Sequence, residues 1–132
     1  MLARPRSAAR RGAEHIRTST RPEHPSAWGL KGMADYVTSV DRDTERIIAE
    51  TLLDGEPDSI IVGEELSPTA TSGALVWVVD PLDGTTNYLH GYPAYGVSVA
   101  AVTNGTPVVG VIVDVTRDIL FRGSQGHRYP TG

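Results

Sequence analysis

Residues 94–116, AYGVSVAAVTNGTPVVGVIVDVT, hold two valine-rich runs that meet at Asn104-Gly105. An Asn-Gly pair between two β-branched runs is the strongest short-range signal of a β-hairpin. We therefore predict that 94–103 and 106–116 are antiparallel strands joined by a tight turn.

Three further short strands are predicted around this hairpin. Residues 119–122 follow a turn at Arg117-Asp118, and residues 59–63 are short and β-branched. Residues 75–80 are an unbroken apolar run that ends on a carboxylate, as a buried strand does where it opens into a site. The chain from 59 to 122 is therefore predicted to be an antiparallel sheet.

A helix is predicted just before the sheet. Apolar side chains recur at helical spacing over residues 42–53, and Asp54-Gly55 ends the repeat. Asp41, Asp43 and Glu45 lie near its start, where carboxylates suit the positive end of the helix dipole. This helix is predicted to pack on one face of the sheet, which gives an α+β fold class.

Residues 1–30 are predicted to be an irregular basic segment. They are rich in Arg, Pro and Ser, and a short helix over 8–16 fits before the prolines at 22 and 25. A mitochondrial presequence is the alternative, but Glu14 and the lack of a clear apolar face count against it. The N-terminus has no signal peptide pattern and no apolar run is long enough to span a bilayer, so a cytoplasmic protein without membrane contact is expected.

Composition excludes several kinds of chemistry. The chain has 132 residues, the size of one ordinary domain, and it contains no cysteine, which rules out disulfides, thiolate metal sites and a cysteine nucleophile. Its net charge is −4, and residues 47–116 contain carboxylates but no Lys or Arg. A folded segment with this balance repels nucleic acid and suits a cation.

The segment with the strongest chemical signal is 77–87, WVVDPLDGTTN. Pro81 is expected to end the strand ladder, and Asp80 and Asp83 are close enough to repel each other unless a hard cation such as Mg²⁺ lies between them. The carbonyl of Leu82 can serve as a third oxygen. Gly84 lets the backbone approach a ligand, and the amides that follow can hold a phosphate.

Asp80 and Asp83 have two other possible interpretations. Asp before Pro or Gly is ordinary in a capped turn, so the pair could be purely structural. An aspartyl phosphatase of the haloacid dehalogenase type needs Asp-x-Asp-x-Thr, and the spacing here does not match it.

A second acidic element, Gly63-Glu64-Glu65, lies at the end of the strand predicted at 59–63. If that strand pairs beside 75–80, Glu64 can meet Asp80 at one end of the sheet. The alternative is a pair of exposed glutamates in a loop.

These motifs together resemble the inositol monophosphatase family of Mg²⁺-dependent phosphatases. The resemblance rests on Gly63-Glu64-Glu65, on 77–87, on Lys31 and on 35–41, DYVTSVD. It covers residues 31–126 and leaves 127–132 as a divergent tail. It implies the N-terminal half of the family's αβαβα sandwich.

The resemblance also implies a metal site. Glu64, Asp80, Asp83 and the carbonyl of Leu82 match the family's metal ligands, so the implied cofactor is Mg²⁺. Lys31 matches a lysine near a further metal position.

Catalytic and substrate contacts are implied in the same way. Thr85 and Asp41, together with Glu64, match residues that orient and activate the attacking water. Asp83, Gly84 and Thr85 match the groups that contact the substrate phosphate.

The expected function is Mg²⁺-dependent hydrolysis of a small phosphate monoester by metal-activated water. The expected substrate is an inositol phosphate or a sugar phosphate. The expected assembly is a homodimer. The alternative is a truncated, weakly active or non-catalytic metal-binding fragment, because the Trp-Asp motif of the family's second half does not occur here. Sugar bisphosphatase, histidinol phosphatase and nucleotide 3′-phosphatase relatives share the motifs present, so they do not select the substrate.

Overall fold

The computed structural model describes residues 4–19, 29–63, 75–90, 92–124 and 127–131. Within them the chain forms helices and one mixed sheet. The helices are α1 (Arg4–Thr18), α2 (Gly29–Gly55) and α3 (Thr85–Leu89). The strands are β1 (Ile60–Gly63), β2 (Leu75–Asp83), β3 (Gly96–Thr103), β4 (Thr106–Asp114), β5 (Ile119–Ser124) and β6 (His127–Thr131). No helix of the described residues is both long and apolar enough to cross a membrane.

The sheet has the strand order β1-β2-β3-β4-β5-β6, which is the order of the strands along the chain. From β2 to β6 every neighbouring pair is antiparallel, as predicted. β1 instead pairs with β2 in parallel, with Gly63 opposite Val79, so the prediction of a wholly antiparallel sheet is wrong at this strand. A parallel neighbour requires a crossover rather than a hairpin, and the connecting residues 64–74 lie outside the described ones.

The central hairpin is confirmed. Asn104 and Gly105 both have positive φ, 51° and 76°, as a two-residue turn that matches the twist of the strands requires. The turn after β4 is also confirmed, and Asp118 within it has a φ of 53°.

Helix α2 starts at Gly29 rather than near residue 42, and it ends at Gly55 as predicted. Val40, Thr44, Ile48 and Leu52 form a row of buried side chains at every fourth position. This row extends the buried stripe upstream of the predicted start, and packing rather than intrinsic propensity stabilises that part of the helix. The acids at 41, 43 and 45 are therefore interior to the helix, and their predicted role at its first turn is wrong.

Both ends of the described chain are more regular than the sequence indicated. Helix α1 is longer than the predicted 8–16, and it does have an apolar face, formed by Ala8, Ala9, Ala13 and Ile16. At the other end, the segment predicted as a divergent tail contributes β6, which pairs with β5.

The α+β class is confirmed, and the helices cover one face of the sheet: α1 lies on β3 and β4, and α2 lies on α1 and β2. The sheet residues that face the helices are buried: Trp77, Val79, Val97, Val99, Ala101, Val109, Val111, Val113 and Leu120. On the opposite face, Val108, Ile112 and Phe121 keep 38%, 53% and 45% of their surface exposed.

Candidate metal and phosphate site

The end of β2 carries the two aspartates of the sequence motif. Asp80 pairs with Ser98 of β3 and Asp83 pairs with Gly96, so three residue steps on β2 match two on β3. This β-bulge shows that Pro81 does not end the ladder, contrary to the expectation. Residues two apart on a regular strand point to the same face. The bulge therefore brings both carboxylates to one face of the sheet, whereas regular alternation would separate them.

Directly after the bulge, the chain makes a tight turn. Gly84 has a φ of +85°, and a Cβ at this position would lie 2.6 Å from the carbonyl oxygen of Ala94. The Leu82 amide donates to Asp80 Oδ1 at 3.3 Å, and the Thr85 hydroxyl donates to the Leu82 carbonyl at 3.3 Å. The capped-turn interpretation of Asp80 thus describes part of what this side chain does.

The groups on this turn suit a hard divalent cation. Asp80 and Asp83 supply carboxylate oxygens, and the Leu82 carbonyl supplies a third oxygen with two lone pairs. Among the residues that the structure describes, no group of three His, Cys, Asp or Glu side chains is placed to hold a metal. The third predicted carboxylate, Glu64, lies outside these residues, as does the Lys31 side chain, so the predicted ligand set stays a prediction.

Helix α2 reaches the same edge of the sheet. The Oε1 atom of Glu45 lies 2.9 Å from the point where a Cβ on Gly63 would stand, so this part of the helix lies over the end of β1. Asp41 is one turn earlier on α2 and is partly buried, with its Oδ1 atom fully buried. Gly63, the last residue of β1, lies opposite Val79, so β1 ends beside the residue that precedes Asp80 on β2.

Glu45 is a residue that the sequence analysis placed in a different role. The sequence predicts for it only an interaction with the helix dipole, whereas the structure places it over the end of β1. Its position four residues after Asp41 was the available signal, because residues at this spacing share one helix face.

Helix α3 fixes the far side of the turn. The Tyr88 amide donates to the Gly84 carbonyl at 2.9 Å, and the Asn87 side-chain amide donates to the Ala94 carbonyl at 2.9 Å. Gly84 and Asn87 therefore both contact Ala94, which locks the turn against the start of β3. The sequence motif indicates no role for Asn87, and in the structure its side chain holds this loop.

A third carboxylate, Asp114, lies in the same cross-strand row, because Gly96 is paired with Asp83 on one side and with Asp114 on the other. Burial raises the pKa of Asp114, but hydrogen bonds from Arg117 and Thr116 outweigh that effect and hold it below its usual value of 3.8. Its Oδ2 atom is 2.8 Å from Arg117 Nη1. Asp114 therefore holds the β4–β5 turn.

Comparison with known proteins agrees with this geometry. The model of the inositol monophosphatase family matches residues 2–129. An inositol-1-monophosphatase of Rhizobium meliloti (strain 1021) is 46% identical over 98 residues, which are 74% of this chain and 37% of that protein. A protein named Nus factor SuhB, from Xylella fastidiosa, is 45% identical over 96 residues, 73% of this chain and 34% of that one.

Solved structures show the same likeness. The inositol monophosphatase of Anabaena (Nostoc) sp. PCC 7120 has a TM-score of 0.75 and 32% identity, over 98% of this chain and 46% of that one. The sheet with its helix-covered face thus occurs in a known class of proteins. The chain belongs to the inositol monophosphatase family, and it spans about a third to a half of the length of the relatives it matches.

Proposed function

We propose that the chain serves in the Mg²⁺-dependent hydrolysis of a small phosphate monoester. The observation that supports this most directly is the β2 bulge, which brings Asp80 and Asp83 to one face immediately before the left-handed Gly84. Two carboxylates, a carbonyl and a glycine turn on adjacent residues suit a cation and a phosphate together.

Each residue has a proposed task. Asp80, Asp83 and the Leu82 carbonyl hold the cation, with Glu64 as the further carboxylate. Bound Mg²⁺ supplies a water of lowered pKa and neutralises charge on the phosphate. The backbone amides at Gly84 and Thr85 contact the phosphate.

Proton transfer is assigned to groups on three segments. The Thr85 hydroxyl, which now donates to Leu82, orients the attacking water. Glu64, acting through Thr85 and Asp41, accepts a proton from that water. The water oxygen attacks phosphorus, the phosphorus–oxygen bond to the alcohol breaks, and the leaving oxygen takes up a proton from solvent, which gives the alcohol and inorganic phosphate. No covalent phosphoenzyme is required.

The proposed substrate is an inositol phosphate or a sugar phosphate in the cytoplasm. Some relatives carry the name Nus factor SuhB, but the charges of this chain favour a small metabolite over nucleic acid. Arginines of α1 are used in ion pairs: Arg4 with Asp54 at 3.0 Å, and Arg10 with Asp118 at 3.3 Å. The acidic stretch 47–116 repels a phosphate backbone.

Hydrolysis of inositol-1-phosphate by the purified chain, with and without Mg²⁺, tests this function. We expect weak Mg²⁺-dependent turnover, and about 100-fold less for Asp80→Asn, since each ~1.4 kcal/mol of lost transition-state stabilisation is tenfold in rate. Asp58→Asn is the matched control, because Asp58 is exposed in the turn before β1. Equal turnover for Asp80→Asn and Asp58→Asn would refute the assignment. Mg²⁺ binding without turnover would favour the non-catalytic alternative.

The homodimer is proposed from the open face of the sheet. Ile112 and Phe121 are apolar and about half exposed there, and such a patch favours association. Sedimentation at increasing concentration tests it: Phe121→Ser should shift the chain towards monomer. The control is Leu53→Ser, which changes a 37% exposed side chain on α2. If both variants sediment like the wild type, this face is not the interface.

A further inference from the structure

Tyr88 is the most buried side chain of the short helix α3. It is 2% exposed, and its amide donates to the carbonyl of Gly84 at 2.9 Å. The position of its ring and the position of the Gly84 turn are therefore linked through one hydrogen bond and four residues of chain. Whatever holds the Tyr88 ring also holds the turn.

The Tyr88 ring is held by Tyr36 of helix α2. The two rings are stacked, with centroids 6.3 Å apart and an interplanar angle of 6°. Their hydroxyl oxygens are 2.8 Å apart, which is a normal hydrogen bond. Stacking alone would be served by phenylalanine, so the hydroxyls add a contact of fixed length between two elements.

Tyr36 is also close in sequence to a proposed catalytic group. Asp41 follows five residues later on the same helix, a rise of about 7.5 Å at 1.5 Å per residue. One end of this segment of α2 is thus fixed on α3 through Tyr36, and the other lies over β1 through Glu45. Asp41 lies between the two contacts.

A third ring joins the pair to the sheet. Tyr95 packs edge-on against Tyr88, with centroids 5.1 Å apart at 77°. Its carbonyl accepts the Val115 amide at 3.2 Å, and the next residue, Gly96, is the partner of Asp83. The Tyr88 ring is therefore packed between α2 and the start of β3.

We propose that Tyr36 and Tyr88 are positioning residues: their hydroxyl pair holds the Asp80–Thr85 turn at a fixed distance from Asp41. This rests on the proposed function for its purpose, but the mechanical part stands on the contacts themselves. Removing either hydroxyl breaks the same bond and keeps both rings. The variants Tyr36→Phe and Tyr88→Phe should therefore each loosen the turn, and the effect of the double variant should be smaller than the sum of the two single effects.

Hydrogen exchange of the purified chain tests the mechanical part. The reporters are the amides of Tyr88 and His90, which donate to the carbonyls of Gly84 and Thr86. We expect both to exchange about fivefold faster in each single variant, as the loss of one hydrogen bond predicts, and the increase in the double variant to fall short of the product of the two single increases. The control is Tyr92→Phe, because Tyr92 is 63% exposed and its loss of a hydroxyl should leave both amides unchanged.

Calorimetric titration with Mg²⁺ tests the link to the site, at a temperature where circular dichroism shows all variants folded. We expect the dissociation constant to rise about threefold in Tyr36→Phe and Tyr88→Phe and to stay constant in Tyr92→Phe. A lower melting temperature with unchanged Mg²⁺ affinity would overturn the positioning role, because a merely structural bond changes only the former. Unchanged exchange in both single variants would overturn the proposal altogether.

The two failures can be told apart. If the wild-type chain binds no Mg²⁺, the proposed function is wrong, and the exchange rates still decide whether the hydroxyl pair holds the turn. If the wild type binds Mg²⁺ and neither variant changes exchange or affinity, the proposed function survives and the positioning role does not.

Discussion

Two turns of this molecule have nearly the same local design and different surroundings. Asn104-Gly105 and Asp83-Gly84 each place glycine after a short polar residue, and the glycines have similar φ values of 76° and 85°. A Cβ on Gly105 would meet nothing within 4 Å, whereas one on Gly84 would stand 2.6 Å from the Ala94 carbonyl oxygen.

The difference separates a turn formed by its own sequence from a turn fixed by its surroundings. The hairpin turn needs only its two residues, because the flanking strands already impose the twist. The Gly84 turn is held by Ala94, by Asn87 and by the packing of α3, which are contacts between segments. The second kind of turn can hold side chains in a fixed arrangement for chemistry, at the cost of tolerating little change.

Alanine substitution at Gly84 and at Gly105 should destabilise the chain to different extents. The loss at Gly84 is the largest effect that we expect. Gly84→Ala adds left-handed strain to a backbone clash and should lower the free energy of unfolding by about 3–4 kcal/mol. Gly105→Ala adds only the strain, about 1 kcal/mol. Urea denaturation measures both, and equal losses would show that Ala94 gives way at little cost.

A Mg²⁺ titration followed by amide NMR shifts should sharpen the comparison. The amides of Gly84 and Thr85 are expected to move with Mg²⁺, while the Gly105 amide stays in place. Asp80→Asn should weaken the response about tenfold or more, since the proposed site then loses one charged ligand. Shifts of equal size at Gly84 and Gly105 would indicate a general salt effect rather than a site.

The β4–β5 turn gives a third case, held by side chains, with the smallest expected effect. The pKa of Asp114 is held below 3.8 in the folded chain by Arg117 and Thr116, so its stabilising contribution is present above pH 4. It is lost as the pH falls through the lowered folded value, because the carboxyl then binds a proton in both states.

We therefore expect Asp114→Asn to reduce stability by a few tenths of a kcal/mol at pH 6, since solvent screens this partly exposed pair. The loss of stability caused by the substitution should shrink towards zero as the pH falls through the lowered folded pKa of Asp114. Thermal melts of both proteins across pH 2–7 measure it. A deficit that is constant over this range would mean that the charge of Asp114 is not what holds the turn.

The parts of the fold that depend on neighbouring residues were predictable from sequence. The hairpin at Asn104-Gly105 and the helix end at Gly55 follow from local backbone preferences. The start of α2 does not follow from such preferences. Tyr36, Val40 and Thr44 are poor helix formers that become helical when packed in the core. The parallel direction of β1 was also missed, since it depends on how residues far apart in the chain meet.

The candidate site likewise has a part that the sequence predicts and a part that depends on tertiary contacts. Its residue types at 80, 82, 83, 84 and 85 were recognisable from the motif, and the turn chemistry at Gly84 followed from its type. The bulge was missed because a proline usually ends a ladder, and the extra residue depends on the register with β3. Asn87 and Glu45 were missed because their partners, Ala94 and Gly63, are set by tertiary contacts.

The strand order of the sheet has a consequence for the time course of folding. From β2 to β6 each strand pairs with its neighbour in sequence, so only short loops must close, and the meander should form quickly. β1 is the exception, because a parallel partner is reached only through a long crossover.

We therefore expect β1 to dock last. The indole Nε1 of Trp77 donates to Ser59 Oγ at 3.1 Å, next to β1, so its fluorescence can report that step in a Trp28→Phe background. A single refolding phase, shared by this signal and by far-ultraviolet circular dichroism, would contradict it. If β1 does dock last, the edge where Gly63 meets Val79 is completed in the final step, and an incompletely folded chain would not yet have the proposed metal site.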